Sequence, residues 1–244
     1  MCGIFGFITN DGSGPDIDRL RRIALVTQTR GNHAFGLAWL DDGGRIQTFK
    51  APGPARMHLD ELERCRDAVA LIGHCRLATH GTWQDNRNNH PHVAGKGVFV
   101  HNGVIFNHAL LAHKHRLRTQ TQCDTEVLGL LMANRVGGSI AQRAAWAASQ
   151  AFGDLAFLGL WRNPTRLLVA RRGKPLSFGQ ARDGGLYLAS LPESLPGDVK
   201  TFVDHVVTVL LHKDNATILG SQVLRLPTDD NLGGGLDDGL GGEP

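Results

Sequence analysis

Short apolar runs open and close this chain, and the stretch between them repeats at helical spacing; that order limits the fold more than any other feature. GIFGFI (3–8), FGLAWL, RIQTFK, AVALIGHC and GVFVHNG read as strands in the first half. LAFLGLW, RLLVARR, PLSFGQ, GLYLAS, FVDHVVTVLL and NATILG read as strands in the second. Helical patterns at about 106–118, 124–136 and 139–150 separate the two groups. Another helix is expected early, with Asp16 as N-cap, apolar positions Ile17, Leu20, Ile23, Ala24 and Val26, and Gly31 as its stop. Asp41-Asp42-Gly43-Gly44 is a hairpin signal, and Asn163-Pro164 and Asp183-Gly184-Gly185 mark further turns. Strands, then helices, then strands favour an α+β fold with antiparallel sheets.

The composition sets outer limits. A chain of 244 residues can bury a substantial core without staples, and 41% hydrophobic with 20% charged residues is ordinary for a soluble protein. It has no apolar run of 18 residues and no basic segment leading into an apolar one at the start, so neither a membrane span nor a secretory signal is expected. Cys2, Cys65, Cys75 and Cys123 show no CxxC spacing, which makes a reducing, cytoplasmic setting the expectation. The formal charge is +3, and five uncompensated acids in 227–244 leave the remainder at +8. That excess suits an acidic or phosphorylated partner, but no basic stripe interleaves with aromatics, so nucleic-acid binding is not expected. Residues 1–226 read as one domain, and the acidic, Gly-rich 227–244 as a disordered tail.

A cysteine directly behind the initiator has one chemical privilege. If Met1 is removed, the Cys2 thiol and a free α-amine belong to one residue. The amine titrates near ~7.7–8.0 and a thiol near ~8.5, so the amine can take the thiol proton near neutral pH without a separate histidine. Three other clusters, GHCRLATHG (73–81), HNG (101–103) and CDTE (123–126), fall at strand ends or helix starts, where side chains project into sites. A thiol attacking an amide carbonyl makes an oxyanion. Asn102 offers a side-chain NH₂ to it, and Gly103 a closely approaching backbone N–H. Taken alone, Asn102-Gly103 is a tight turn. Arg76 can grip a carboxylate with two hydrogen bonds, Thr79 and His80 can add donors, and Asp124 can receive an α-ammonium. The plainer alternatives are a surface ion pair for Arg76 and a helix N-cap for Asp124. The pairs HPH (90–92) and HKH (113–115) are weak metal signals without a matching carboxylate or cysteine spacing, so no metal and no cofactor is expected. The polar loop 77–95, rich in Asn and His, is long enough to be functional.

In this order and spacing, MCGIFGF, TRGNHAFGLA, GHCRLATHG, NHPH, VHNGVIFNH, CDTEVLGLL, LLVARRGKPLSFG and YLASLPESLP resemble the class II glutamine amidotransferases, a family of N-terminal-nucleophile hydrolases. The glutaminase domain of glucosamine-6-phosphate synthases is the nearest likeness, covering about residues 2–222. The resemblance implies a four-layer αββα sandwich of two antiparallel sheets. It implies removal of Met1, a Cys2 nucleophile, and conversion of L-glutamine to glutamate and ammonia through a γ-glutamyl thioester. Asn102 and Gly103 would form the oxyanion hole, and Arg76, Thr79, His80 and Asp124 would hold the glutamine head group. Arg30 would support the site, and His90 would order the loop over it. Three departures stand out: His33-Ala34 replaces a usual Asp-Ser after RGx, Leu77 replaces a Trp tied to closure and ammonia gating, and Cys75 and Cys123 replace Thr and Ser. The two cysteines read as structural. Nothing in the sequence recognises an ammonia acceptor, so a separate synthase or acceptor-binding protein is the expected partner. The competing readings are a self-sufficient hydrolase of a γ-glutamyl amide and a non-catalytic module on the same fold.

Overall fold

The computed structural model describes residues 1–9, 12–41, 43–162, 165–211 and 224–225. In chain order its elements are β1 (Gly3–Ile8), α1 (Ile17–Thr27), β2 (Ala34–Asp41), β3 (Ile46–Pro52), β4 (Ala68–Arg76), β5 (His92–Ala94) and β6 (Gly97–Gly103). Then follow α2 (His108–Lys114), α3 (Asp124–Asn134), α4 (Ile140–Gln150), β7 (Leu155–Trp161), β8 (Arg166–Arg172), β9 (Ser177–Gln180) and β10 (Leu186–Ala189). The last are β11 (Lys200–Thr201), β12 (Val206–Leu211) and β13 (Leu224–Arg225). The expected strand NATILG, the Asn163-Pro164 turn and the tail at 227–244 lie outside the described residues.

All the strand pairings are antiparallel. One sheet runs β11-β9-β10-β1-β4-β2-β3 and the other β13-β12-β8-β7-β6-β5. Each strand sends alternate side chains to opposite faces, so each sheet contributes to two cores. Ile4, Ile8, Leu40 and Ile72 of the first sheet meet Val98, Val100, Leu158 and Val169 of the second. The outer face of the first sheet, with Phe5, Phe7, Phe35 and Leu71, takes Leu20, Ile23 and Ala24 of α1. The outer face of the second, with Phe99, Phe157 and Leu168, takes Val127, Leu131 and Ala144 of α3 and α4. Three cores between four layers make the αββα sandwich. Leu158 is fully buried between the sheets. Leu158→Ala is expected to cost about 2–5 kcal/mol in urea denaturation, because the two strand layers cannot close over the space it leaves.

The local readings hold with three adjustments. Asp16 does cap α1, accepting the Arg19 N–H at 3.0 Å. The helix ends at Thr27, however, and a 3-10 turn at 28–30 carries the chain to Gly31; Thr27 is buried there and Val26 only partly. The 106–118 pattern yields only the seven-residue α2. The end of the long polar loop pairs with β6 as β5, His92 facing Phe99.

Candidate active site

Cys2 stands just before β1, where Gly3 pairs with Cys75 of β4. Glycine is required at position 3, since an added Cβ would lie 2.5 Å from Thr27 Cγ2 and 2.7 Å from its carbonyl oxygen. The end of α1 can therefore pass directly over the start of β1. Beyond Arg76 the chain leaves the sheet, and Leu77 donates its backbone N–H to Cys2 Sγ at 3.3 Å. Arg30, expected to support the site, donates Nε–H directly to the Cys2 carbonyl at 2.8 Å. Burial pushes the Cys2 thiol up; the Leu77 N–H, the chain's terminal ammonium and Arg76 pull it down, and Asp124 opposes them.

A cavity of about 390 Å³ opens beside Cys2 and is lined by Met1, Thr79, Asn102 and Gly103 among others. Asn102, at the end of β6, is 1% exposed, and neither its Nδ2 nor its Oδ1 has a hydrogen-bond partner among the described residues. Leaving a buried carboxamide unpaired costs roughly 1–3 kcal/mol, so the fold holds a donor ready at a cost to stability. Gly103 follows where only glycine fits: an added Cβ would sit 2.1 Å from the Asp154 carbonyl oxygen. Cys2, Asn102 and Gly103 thus line one cavity, the neighbourhood that oxyanion stabilisation would require. A larger cavity, about 470 Å³, lies across Met1 among Gln28, Arg30, Asn32, Arg56 and Leu77. It presents neither the thiol nor Asn102.

The residues expected to hold an amino-acid head group are placed differently from one another. Thr79 is exposed on the cavity wall. Arg76 is 3% exposed, and its guanidinium faces the loop it precedes: Nη2 donates to the carbonyls of His80 and Gly81, and Nη1 to Asn89 Oδ1 at 2.6 Å. It is neither a surface ion pair nor a fork aimed wholly at the cavity. His80 packs edge-on against His108, ring centroids 4.9 Å apart. Asp124 is not the N-cap of α3. Cys123 occupies that position without a side-chain cap bond, and Asp124 Oδ2 instead accepts the Ile105 N–H at 2.7 Å. The backbone turn after Gly103 points that amide at the carboxylate, which fixes the loop beyond Gly103. Among the described residues, Oδ1 receives only a long 3.7 Å contact from the Cys123 thiol.

His90, expected to order the loop, is buried. Its Nε2 meets Thr125 Oγ1 at 2.8 Å, and its ring stacks on His74 at 3.8 Å and meets His92 edge-on at 4.8 Å. It ties the loop to α3 from inside. His101 joins the same hydroxyl at 3.1 Å, and the ligand-capable atoms of His90, His92 and Cys123 lie within 4.8 Å of one another. The sequence reading passed over this cluster because Cys123 lies 31 positions beyond His92. Cys75 and Cys123 are buried, and burial pushes both thiols up, Cys123 to about 12, as inert structural cysteines require.

Burial holds His74 and His90 well below the ordinary histidine range, lowers His101 and pushes His92 down to about 3. Each binds its proton more weakly folded than unfolded, so the unfolded chain takes up more protons below its own pKa of ~6.5. Their contribution is complete above about pH 6.5 and is lost as pH falls. The urea midpoint is expected to drop from pH 6.5 to 5, with a slope of up to about 1.4 kcal/mol per pH unit for each histidine. A flat midpoint over that range would contradict the cluster's neutrality.

Sequence reasoning missed the far wall of the cavity, which Phe106, Phe152, Asp154, Arg172 and Lys174 form. The segment ARRGKP carried part of the resemblance, but no single residue of it stood out. Arg172 is 4% exposed and caps the end of α4 through the carbonyls of Ala148 and Ala151. Lys174 pairs with Asp154 at 3.2 Å.

A four-layer αββα sandwich with a cysteine just before its first strand, and Asn102 and Gly103 lining the cavity beside it, is the arrangement expected of a class II glutamine amidotransferase. The chain belongs to the glutamine amidotransferase domain family, whose model matches residues 58–220. It is 31% identical over 211 residues to glutamine–fructose-6-phosphate aminotransferase (isomerizing) of Aquifex aeolicus, covering 83% of this chain and 35% of that protein. With the enzyme of the same name from Gluconobacter oxydans the identity is 34% over 202 residues, with 78% and 32% covered. The chain therefore spans about a third of the length of these relatives. Among solved structures it is similar to glutamine phosphoribosylpyrophosphate amidotransferase of Bacillus subtilis, with a TM-score of 0.76 and 21% identity over 92% of this chain and 49% of that one. A glutamine aminotransferase class-II domain protein from Silicibacter pomeroyi gives 0.62 and 14%, over 93% of this chain and 100% of that one. At these identities the two structures speak for the fold. Among the described residues no helix is long and apolar enough to cross a membrane.

Proposed function

We propose that this chain hydrolyses the side-chain amide of L-glutamine through a Cys2 thioester and delivers the ammonia to an acceptor bound by a separate synthase or acceptor-binding protein. One observation carries the reading: Cys2 and Asn102 line the same cavity, and the buried Asn102 carboxamide has no hydrogen-bond partner among the described residues. While Met1 is attached, the Cys2 nitrogen is an amide and cannot act as a base. Once Met1 is removed, the free amine takes the thiol proton and sulfur attacks the γ-carbonyl. The oxyanion is received by Asn102 Nδ2–H and the Gly103 N–H. The ammonium returns its proton to the departing nitrogen, and ammonia leaves. Water then adds to the thioester, the amine accepts its proton, and glutamate and the thiol are released. Thr79 and His80 hold the substrate carboxylate, Arg76 adds positive charge behind them, and the less engaged Oδ1 of Asp124 takes the α-ammonium.

The test is glutamine turnover by chain whose N-terminus has been verified as Cys2, with glutamate and ammonia measured together. Equal release of both, and covalent capture of Cys2 by a glutamine-like electrophile, are expected. Absence of both would overturn the reading. A second reading, hydrolysis of a substituted γ-glutamyl amide, is favoured by one feature. The cavity continues past Gly103 to Phe106 and Phe152, which are 67% and 59% exposed with ring centroids 5.8 Å apart. Faster turnover of N-alkyl γ-glutamyl amides than of glutamine would select it.

A further inference from the structure

We propose that His33 is a positioning residue that clamps the glutamine-binding loop, an inference that rests on the glutaminase reading. His33 stands just before β2, beside the point where β4 ends and loop 77–83 begins. Its backbone N–H donates to the Arg76 carbonyl at 2.9 Å, and its ring Nδ1 accepts the Ala78 N–H at 3.1 Å. The same ring stacks on Trp83 at the far end of the loop, centroids 5.8 Å apart and planes within 26°. One side chain therefore holds both ends of the segment that carries Leu77, Thr79 and His80.

The bond to Ala78 matters because of its neighbours. Leu77, one residue earlier, aims its amide at Cys2 Sγ, and Thr79, one residue later, lines the cavity. Arg76 fastens the loop from inside, through the carbonyls of His80 and Gly81. His33 fastens it from outside, through the Ala78 N–H. Without that acceptor the Ala78 amide turns to water, and Thr79 and His80 lose the fixed orientation a bound head group needs. The position departs from the Asp-Ser of the resembling family, and the ring supplies both a hydrogen-bond acceptor and a stacking face there.

Three variants separate these roles. H33A removes acceptor and stack, H33F keeps a ring for Trp83 without an acceptor, and H33N places a side-chain oxygen about where Nδ1 lies. KM for glutamine is expected to rise about tenfold in H33A and H33F with kcat changed less than about threefold, the loss of one hydrogen bond. H33N is expected to return KM to within about threefold of wild type. Hydrogen exchange at the Ala78 amide gives a readout independent of turnover: protection is lost in H33A and H33F and kept in H33N. An unchanged KM in folded H33A, equal impairment of H33N and H33F, or Ala78 protection that ignores all three overturns the proposal. Failure of the processed wild type to release glutamate removes the glutaminase reading instead, while the exchange experiment still decides whether the clamp exists.

Discussion

Cys2→Ala is expected to abolish glutamine hydrolysis, with a loss on the scale of about 10⁴–10⁶-fold, while stability changes by less than about 1 kcal/mol. The disparity follows from what the thiol touches. Among the described residues, Sγ has two weak hydrogen-bond contacts, the Leu77 N–H and the Leu77 carbonyl, each at 3.3 Å. In the proposed reaction it forms the bond on which every later step depends. Serine at the same position keeps a hydroxyl and the α-amine but lacks a thiol's acidity, so it should behave nearly as alanine does. The measurement is glutamate release, paired with thermal melting and an N-terminal mass for every variant. Undiminished glutamate release by Cys2→Ala would remove Cys2 as the nucleophile. Substantial unfolding would give Cys2 a structural role that its contacts do not predict.

Asn102→Ala is expected to lower kcat by about 10²–10³-fold with little change in KM, the cost of removing one oxyanion donor. Its effect on stability should be neutral or favourable. Most buried carboxamides leave a partner orphaned when truncated, but Asn102 has none among the described residues. Alanine would thus relieve an unpaired polar group at the same time as it removes a catalytic donor. Kinetics and urea denaturation on the same preparation distinguish the outcomes. Activity falling while stability holds or rises marks a donor kept for the transition state, whereas a joint fall marks a structural side chain.

The features legible in the sequence are those set by neighbours along the chain. Asp16 three residues before the Arg19 amide is enough to start α1, and the alternation of GVFVHNG is enough to make β6. Leu37 and Leu71 could likewise be read as core from the spacing of their strands. The order of the motifs also pointed to the family, and with it to Cys2, Asn102 and Gly103 in one cavity. Where reading failed, the partner was distant. Asp124 looked like a cap because its neighbours are helical, yet its carboxylate is claimed by Ile105, 19 residues back. Arg76 looked free to grip a ligand, yet much of its guanidinium is taken by the loop that folds over it. His33 stood out only as a departure from a usual Asp, yet the turn of the chain after β4 brings the Ala78 amide to its ring.

The sequence by itself determined that a cysteine thiol would open a buried strand, and that an asparagine and a glycine would close another. Caps, periodicity and turn residues act over a few positions, and their physics is complete within them. The tertiary structure alone decided that the Leu77 amide, 75 residues away, would face that thiol, and that the Asn102 carboxamide would be left without a partner among the described residues. It also gathered His74, His90, His92 and His101 into one neutral cluster behind α3. Those facts depend on the register of β1 against β4 and on the stacking of one sheet upon the other. Such long-range alignments are fixed by burial summed over the whole sandwich, which no short stretch of sequence contains.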